Sequence, residues 1–161
     1  MKDIVHKEFG GQVRTRVSGV LVEEGKMLLI KHKGLGDFGE LWIPPGGGLV
    51  YGMSLEENLI REFKEETNLD VEVGEFLLMH EYKRPPLHAI ELFFTVRRNG
   101  GGVKLGADPE LSADHQIMTE IRFMGVEEIK KSNPAYFHRI LREESDPSLI
   151  IRLKGCFIFS N

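Results

Sequence analysis

One amphipathic helix carrying its own start and stop signals interrupts a chain otherwise patterned as short β-strands, which narrows the folds open to it. Ser54, with Glu57 three residues later, makes a capping-box pattern, so the helix starts near Ser54. Leu55, Leu59 and Phe63 recur every four residues as an apolar stripe. Asn68, after glycine the residue type most at ease in the left-handed conformation, supplies the stop. Glu62, Glu65 and Glu66 fall at i, i+3 and i+4 and project together. Like charges at this spacing oppose a helix by about 0.2–0.5 kcal/mol, and these lie near the end that already disfavours anions. A solvated face is the plainer reading of such a run, and a bound cation is the reading that removes the conflict. Ahead of the helix, Pro44-Pro45-Gly46-Gly47-Gly48 is a rigid entry followed by residues without side chains, which lets backbone approach a ligand or metal closely. Magnesium takes oxygen ligands from a few carboxylates together with substrate phosphate, and clustered glutamates meet that demand.

The flanking sequence predicts hairpins. Residues 15–22 and 27–31 are apolar runs joined by Glu23-Glu24-Gly25-Lys26, followed by a glycine-rich loop over 32–41. After the helix, 71–82 and 87–97 form a second pair around Lys83-Arg84-Pro85-Pro86, where proline ends the ladder. Residues 99–114 are glycine-rich and predict a mobile loop. A strand at 120–124, a helical turn at 126–131, a helix from Asn133-Pro134 to about Glu144 and a β-like segment at 149–159 complete the chain. Strands interrupted by one helix and closed by another give an α/β fold, an α/β/α sandwich with a mixed β-sheet, and 161 residues make one domain over 1–161.

Charge and cysteine usage exclude several classes. A net charge of −4 offers no basic field for a nucleic acid polymer. The single cysteine, Cys156, excludes an internal disulfide and a thiolate zinc site, so a cytoplasmic setting is expected. No run approaches the length of a membrane span or a signal peptide, so no membrane association is expected.

Residues Gly47 to Leu69 resemble the box of the Nudix (MutT-like) hydrolases, Gly-x(5)-Glu-x(7)-Arg-Glu-U-x-Glu-Glu-x-Gly-U with U a bulky apolar residue. Gly47 matches the first glycine, Arg61 and Glu62 the Arg-Glu pair, Phe63 the first U, Glu65 and Glu66 the Glu-Glu pair and Leu69 the last U. Trp42-Ile43-Pro44-Pro45-Gly46-Gly47-Gly48 is similar to the family's approach to the box. Two positions depart: Asn68 replaces the second glycine, and Met53 stands where the family has its first glutamate. The resemblance implies the same sandwich fold and a divalent-metal-dependent pyrophosphohydrolase using Mg²⁺, with Mn²⁺ as a substitute. It implies Glu62, Glu65, Glu66 and the Gly47 carbonyl as metal ligands, and cleavage of a phosphoanhydride bond in a small-molecule nucleoside diphosphate derivative. Arg61 joins the catalytic set, and Glu57, four residues before it, is expected to replace the missing glutamate as its partner. The general base is expected at Glu65 or Glu66, or at Asp114 or Glu110 in the loop where the family often places a carboxylate. Lys31 and Lys33, ending a strand just before the glycine loop, are expected to contact substrate phosphate, and Trp42 either stacks on a base or joins the core. His80 and His88 lie on opposite arms of a hairpin and can meet, with packing the cheaper explanation. Met53 leaves a second reading open: a weakly catalytic Nudix-fold protein that binds or senses a nucleotide or nucleotide sugar. The apolar 149–159 segment either covers the sheet or forms the edge of a homodimer.

Overall fold

The computed structural model describes residue 7, residues 9–107, residue 109 and residues 112–158. Its strands are β1 (Val13–Glu23), β2 (Lys26–Lys33), β3 (Glu40–Ile43), β4 (Gly46–Gly48), β5 (Asp70–Arg84), β6 (Leu87–Gly100), β7 (Met118–Gly125) and β8 (Gly155–Ile158). Among the described residues, residues 7 and 9 are helical, and the further helices are α1 (Leu55–Thr67), α2 (Val126–Lys131), α3 (Arg139–Glu143) and α4 (Pro147–Ile150). One mixed sheet holds the eight strands in the order β3-β2-β1-β6-β5-β8, with β4 added on β1 and β7 on β2.

Strand β1 organises the sheet. It runs parallel to β6 from Val13 opposite His88 to Leu21 opposite Val96, and its Arg16, Val17 and Ser18 also face β4 in antiparallel register. Alternation along β1 then divides the core. Val17 and Leu21 share a core cluster with Leu59 and Phe63 of α1 on one face, while Val20 belongs with Phe93, Ile129, Phe137, Ile140, Leu141 and Ile150 on the other. The layering is the expected α/β/α sandwich. Leu59 and Phe63 are fully buried, each contributing about 1.5–3 kcal/mol, and these contacts seat the glutamate-bearing helix on the sheet.

Both expected hairpins form, with longer strands than the composition suggests. His32 and Lys33 belong to β2 and Leu41 to β3, because pairing with β3 and β7 carries the ladder into the glycine-rich stretch. The helix expected from Asn133 to Glu144 is broken. Asn133 caps a 3-10 turn over Pro134–Tyr136, after which Phe137 turns extended, bridges to Trp42 and is buried, and His138 N–H donates to the Trp42 carbonyl at 2.8 Å. Tertiary pairing with the end of β3 outweighs helix continuation there.

The 99–114 stretch also differs from a free loop. Strand β6 extends to Gly100, and the following residues are strapped to the end of α1: Lys104 N–H donates to Thr67 O at 3.0 Å and Gly106 N–H to Glu66 O at 2.9 Å. A side chain at Gly106 would overlap the Glu65 carbonyl, so the strap needs glycine. At the C-terminus, Pro147–Ile150 is helical and β8 adds to β5 in parallel, extending the chain's own sheet. Phe159 lies outside the described residues. Among the described residues no helix is long and apolar enough to cross a membrane.

Buried polar residues mark the rest of the sheet. His32 is buried with Nδ1 3.3 Å from Ile30 O, and its pKa is lowered to about 4 by burial and then by the positive charge of Arg16. A folded pKa below the unfolded value means the unfolded chain takes up the proton first. The stabilisation is therefore complete above pH 6.5 and is lost as pH falls from 6.5 towards 4. We expect wild-type stability to fall across that window by up to about 1.4 kcal/mol per pH unit more steeply than that of His32→Gln. Parallel slopes in denaturant titrations of the two proteins at pH 7.0, 6.0 and 5.0 would show that His32 does not carry this dependence.

Candidate metal and phosphate site

The site is built where the glycine turn meets α1. Ser54 caps the helix through a reciprocal box, accepting Glu57 N–H at 3.2 Å while Glu57 Oε2 accepts Ser54 N–H at 2.9 Å. Asn68 closes the helix in the left-handed conformation at φ 60°, as its residue type predicts. The box decides the role of Glu57. Its carboxylate is spent on the helix start and makes no pair with Arg61, contrary to the expectation from their spacing.

Arg61 instead holds two carboxylates of its own cluster. Nη2 donates to Glu62 Oε1 at 2.6 Å and Nη1 to Glu65 Oε2 at 2.7 Å, with Asn58 Oδ1 at 3.3 Å from Nη2. Burial disfavours the guanidinium charge, and the attraction of Glu62 and Glu65 outweighs it, so the Arg61 pKa is raised. Its Nε is a buried nitrogen without a hydrogen-bond partner among the described residues.

Glu62 and Glu66 are buried at 7% and 6% exposure, an unusual state for glutamates that share a helix face. Glu66 Oε2 accepts Gly46 N–H at 2.9 Å. The Glu62 carboxylate lies against Gly47 so closely that a methyl group there would come within 3.0 Å of Cδ and of both oxygens. The turn is thus pressed onto the carboxylates, with the Gly47 backbone beside Glu62. This oxygen-only donor set, packed where no Cβ intervenes, suits a magnesium ion.

Asn58 is the residue that sequence reasoning missed. Fully buried, it accepts Val50 N–H at 3.0 Å and donates to Gly48 O at 3.0 Å, clamping the glycine turn to the helix. Its signal was a polar residue adjoining the apolar stripe, beside Leu59. Met53 is half-buried and offers no oxygen ligand, while Arg61 takes its partners from Asn58, Glu62 and Glu65.

The other expected residues disperse. Trp42 is a core position at 6% exposure, with Lys31 Nζ 5.3 Å and Arg122 4.9 Å from its ring, so it does not present a face to a base. Lys31 is itself paired with Glu120 at 3.2 Å and Glu40 at 4.0 Å. Lys33 is half-buried opposite Glu40 at the end of β2. Asp114 is exposed in the short 3-10 turn Ala113–His115. Glu110 lies outside the described residues. His88 pairs with Glu81 at 3.0 Å and does not meet His80.

The model of the NUDIX domain matches residues 13–143. An ADP-ribose pyrophosphatase of Methanocaldococcus jannaschii is 32% identical over 114 residues, 62% of this chain and 67% of that protein. YjhB of Bacillus subtilis is 30% identical over 102 residues, 60% of this chain and 47% of its own length, so the match spans about half of that relative. Among solved structures, an ADP-ribose pyrophosphatase from Streptococcus suis shares the fold with a TM-score of 0.59 at 20% identity, over 89% of this chain and 98% of that one.

Proposed function

We propose, from the premise that this chain belongs to the NUDIX domain family, that it hydrolyses a phosphoanhydride bond of a nucleoside diphosphate joined to another moiety, with ADP-ribose the first candidate. The observation that carries the reading is the packing of Glu62 and Glu66 against a side-chain-free turn, Glu66 on Gly46 N–H and Glu62 against Gly47, with Arg61 bridging Glu62 to Glu65. The name of the archaeal relative supports the choice of first substrate.

Glu62, Glu65, Glu66 and the Gly47 carbonyl would hold Mg²⁺ or Mn²⁺, which supplies neutralisation of the diphosphate and polarisation of the phosphorus under attack. The protein's part is to hold these carboxylates in position before the ion arrives. Arg61 offsets the repulsion between Glu62 and Glu65, Gly46 fixes one oxygen of Glu66, and Asn58 holds the turn at its distance from the helix. Water attacks one phosphorus, the bridging P–O bond breaks, and the products are a nucleoside monophosphate and the phosphorylated remainder. Glu65, at 28% side-chain exposure the most open of the three carboxylates, is our assignment for accepting the water's proton, ahead of the exposed Asp114.

Incubation with ADP-ribose, nucleoside triphosphates, dinucleoside polyphosphates and nucleotide sugars tests this directly. With Mg²⁺ or Mn²⁺ we expect ADP-ribose to yield AMP and ribose phosphate by ³¹P NMR, and no product in EDTA. The lack of an oxygen ligand at Met53 favours one alternative, a Nudix-fold binding or sensor protein. Calorimetric binding of a nucleotide with no turnover of any compound would establish that alternative and overturn the hydrolase.

A further inference from the structure

On the sheet face opposite α1 a buried polar group interrupts the apolar core, and the chemistry assigned above does not use it. Glu91 of β6 stands opposite His80 of β5, and its Oε2 lies 2.7 Å from His80 Nδ1 and 2.9 Å from His138 Nε2. His80 is 2% exposed and His138 7%. The three ligand atoms fall within 4.8 Å of one another, a spacing that a metal ion can use.

Hydrogen bonding accounts for the group without an ion. His138 Nδ1 accepts Ile140 N–H at 3.3 Å, which places the ring proton on Nε2, where it donates to Glu91. The second carboxylate oxygen, Oε1, faces Arg16 Nε at 3.8 Å, so the half-buried charge already has its counterion. Burial would raise the Glu91 pKa, but His138, the His80 hydrogen bond and Arg16 outweigh it and hold the carboxyl well below the usual carboxylate range.

Arg16 leads from this group to the other face of the sheet. Its Nη2 donates to Gly46 O at 3.1 Å, while Gly46 N–H donates to Glu66 Oε2 at 2.9 Å. Gly46 is therefore gripped from both sides, and its carbonyl belongs to the peptide that leads into Gly47. A side chain at Gly46 would strike the Val17 carbonyl and the Ser18 Cα, so nothing else can occupy this junction.

We propose that Glu91, oriented by His80 and His138, is a positioning residue that holds Arg16 on the Gly46 carbonyl and thereby places the Gly47 carbonyl and the Glu66 carboxylate for the metal. This rests on the metal-site reading above and deepens it. Groups hydrogen-bonded directly to metal ligands typically change metal affinity by about 10–100-fold when removed, and Glu91 acts at a further remove through Arg16, so the low end of that range is expected. Glu91→Gln keeps the shape but leaves Arg16 without its counterion.

The test is Mn²⁺ affinity, measured by electron paramagnetic resonance on the full chain without substrate, alongside thermal melting. Glu91→Gln and His138→Ala should each weaken Mn²⁺ binding about tenfold. His138→Gln, whose amide can donate as Nε2–H does, should restore affinity to within about threefold of wild type. The histidine pair keeps the test open if Glu91→Gln fails to fold. Affinities within twofold of wild type in His138→Ala and in folded Glu91→Gln, with only the melting temperature lowered, would overturn the positioning role. Tight stoichiometric Zn²⁺ retained by Glu66→Gln and lost in His138→Ala would overturn it in favour of a metal site at the histidines. Unchanged Mn²⁺ binding in Glu66→Gln would instead remove the metal-site reading itself.

Discussion

Glu66→Gln is expected to lower metal-dependent turnover by about 100-fold or more, equivalent to about 2.7 kcal/mol of lost transition-state stabilisation. The amide keeps the volume and can still accept Gly46 N–H, so the 2.9 Å contact survives while the charge does not. Stability without metal should hold or rise slightly. Glu62 and Glu66 repel at i, i+4 by about 0.2–0.5 kcal/mol, and both are buried, where water screens them poorly. Steady-state kinetics with Mg²⁺ and melting curves in EDTA separate the two effects. Wild-type turnover in a folded Glu66→Gln would remove Glu66 from the metal site.

Gly47→Ala should produce a loss of similar size by a different route. The added methyl would come within 3.0 Å of Glu62 Cδ and both oxygens, so the carboxylate must swing away from its 2.6 Å contact with Arg61. That displaces a candidate ligand and its counterion together, and we expect turnover to fall about 100-fold. Gly52→Ala is the matched control. Gly52 has φ +88° with nothing within 4 Å of an added Cβ, so alanine there should cost about 1–2 kcal/mol of stability and leave turnover intact. Equal turnover in the two variants would show that the approach of Gly47 to Glu62 has no part in catalysis.

The parts of the site that lay open in the sequence are those encoded between near neighbours. Ser54 and Glu57 announced the helix start, Asn68 its left-handed end, and the spacing of Glu62, Glu65 and Glu66 their common face, because each depends on residues within about one helical turn. The same logic misled for Glu57. Its spacing suits both a cap and a pair with Arg61, and only the folded helix shows that the orphan Ser54 amide claims the carboxylate. The hairpins were visible for the same local reason, from alternating apolar residues and turn glycines.

What stayed hidden depends on which distant segments share a buried surface. Asn58 reads as one more polar helix residue until the turn at Gly48 and Val50 folds back to satisfy its amide. The break at Phe137 follows from the bridge to Trp42, and the strapping of 102–106 follows from carbonyls at the end of α1 and the side chain of Asn68 seeking partners. Arg16 meets Gly46 across 30 residues and His138 meets Glu91 across 47, links that no periodicity in the chain encodes. Local hydrogen bonding and helix periodicity thus determined where the carboxylates would stand. Burial decided what holds them there, because a polar group removed from water must find its partner wherever the tertiary fold supplies one.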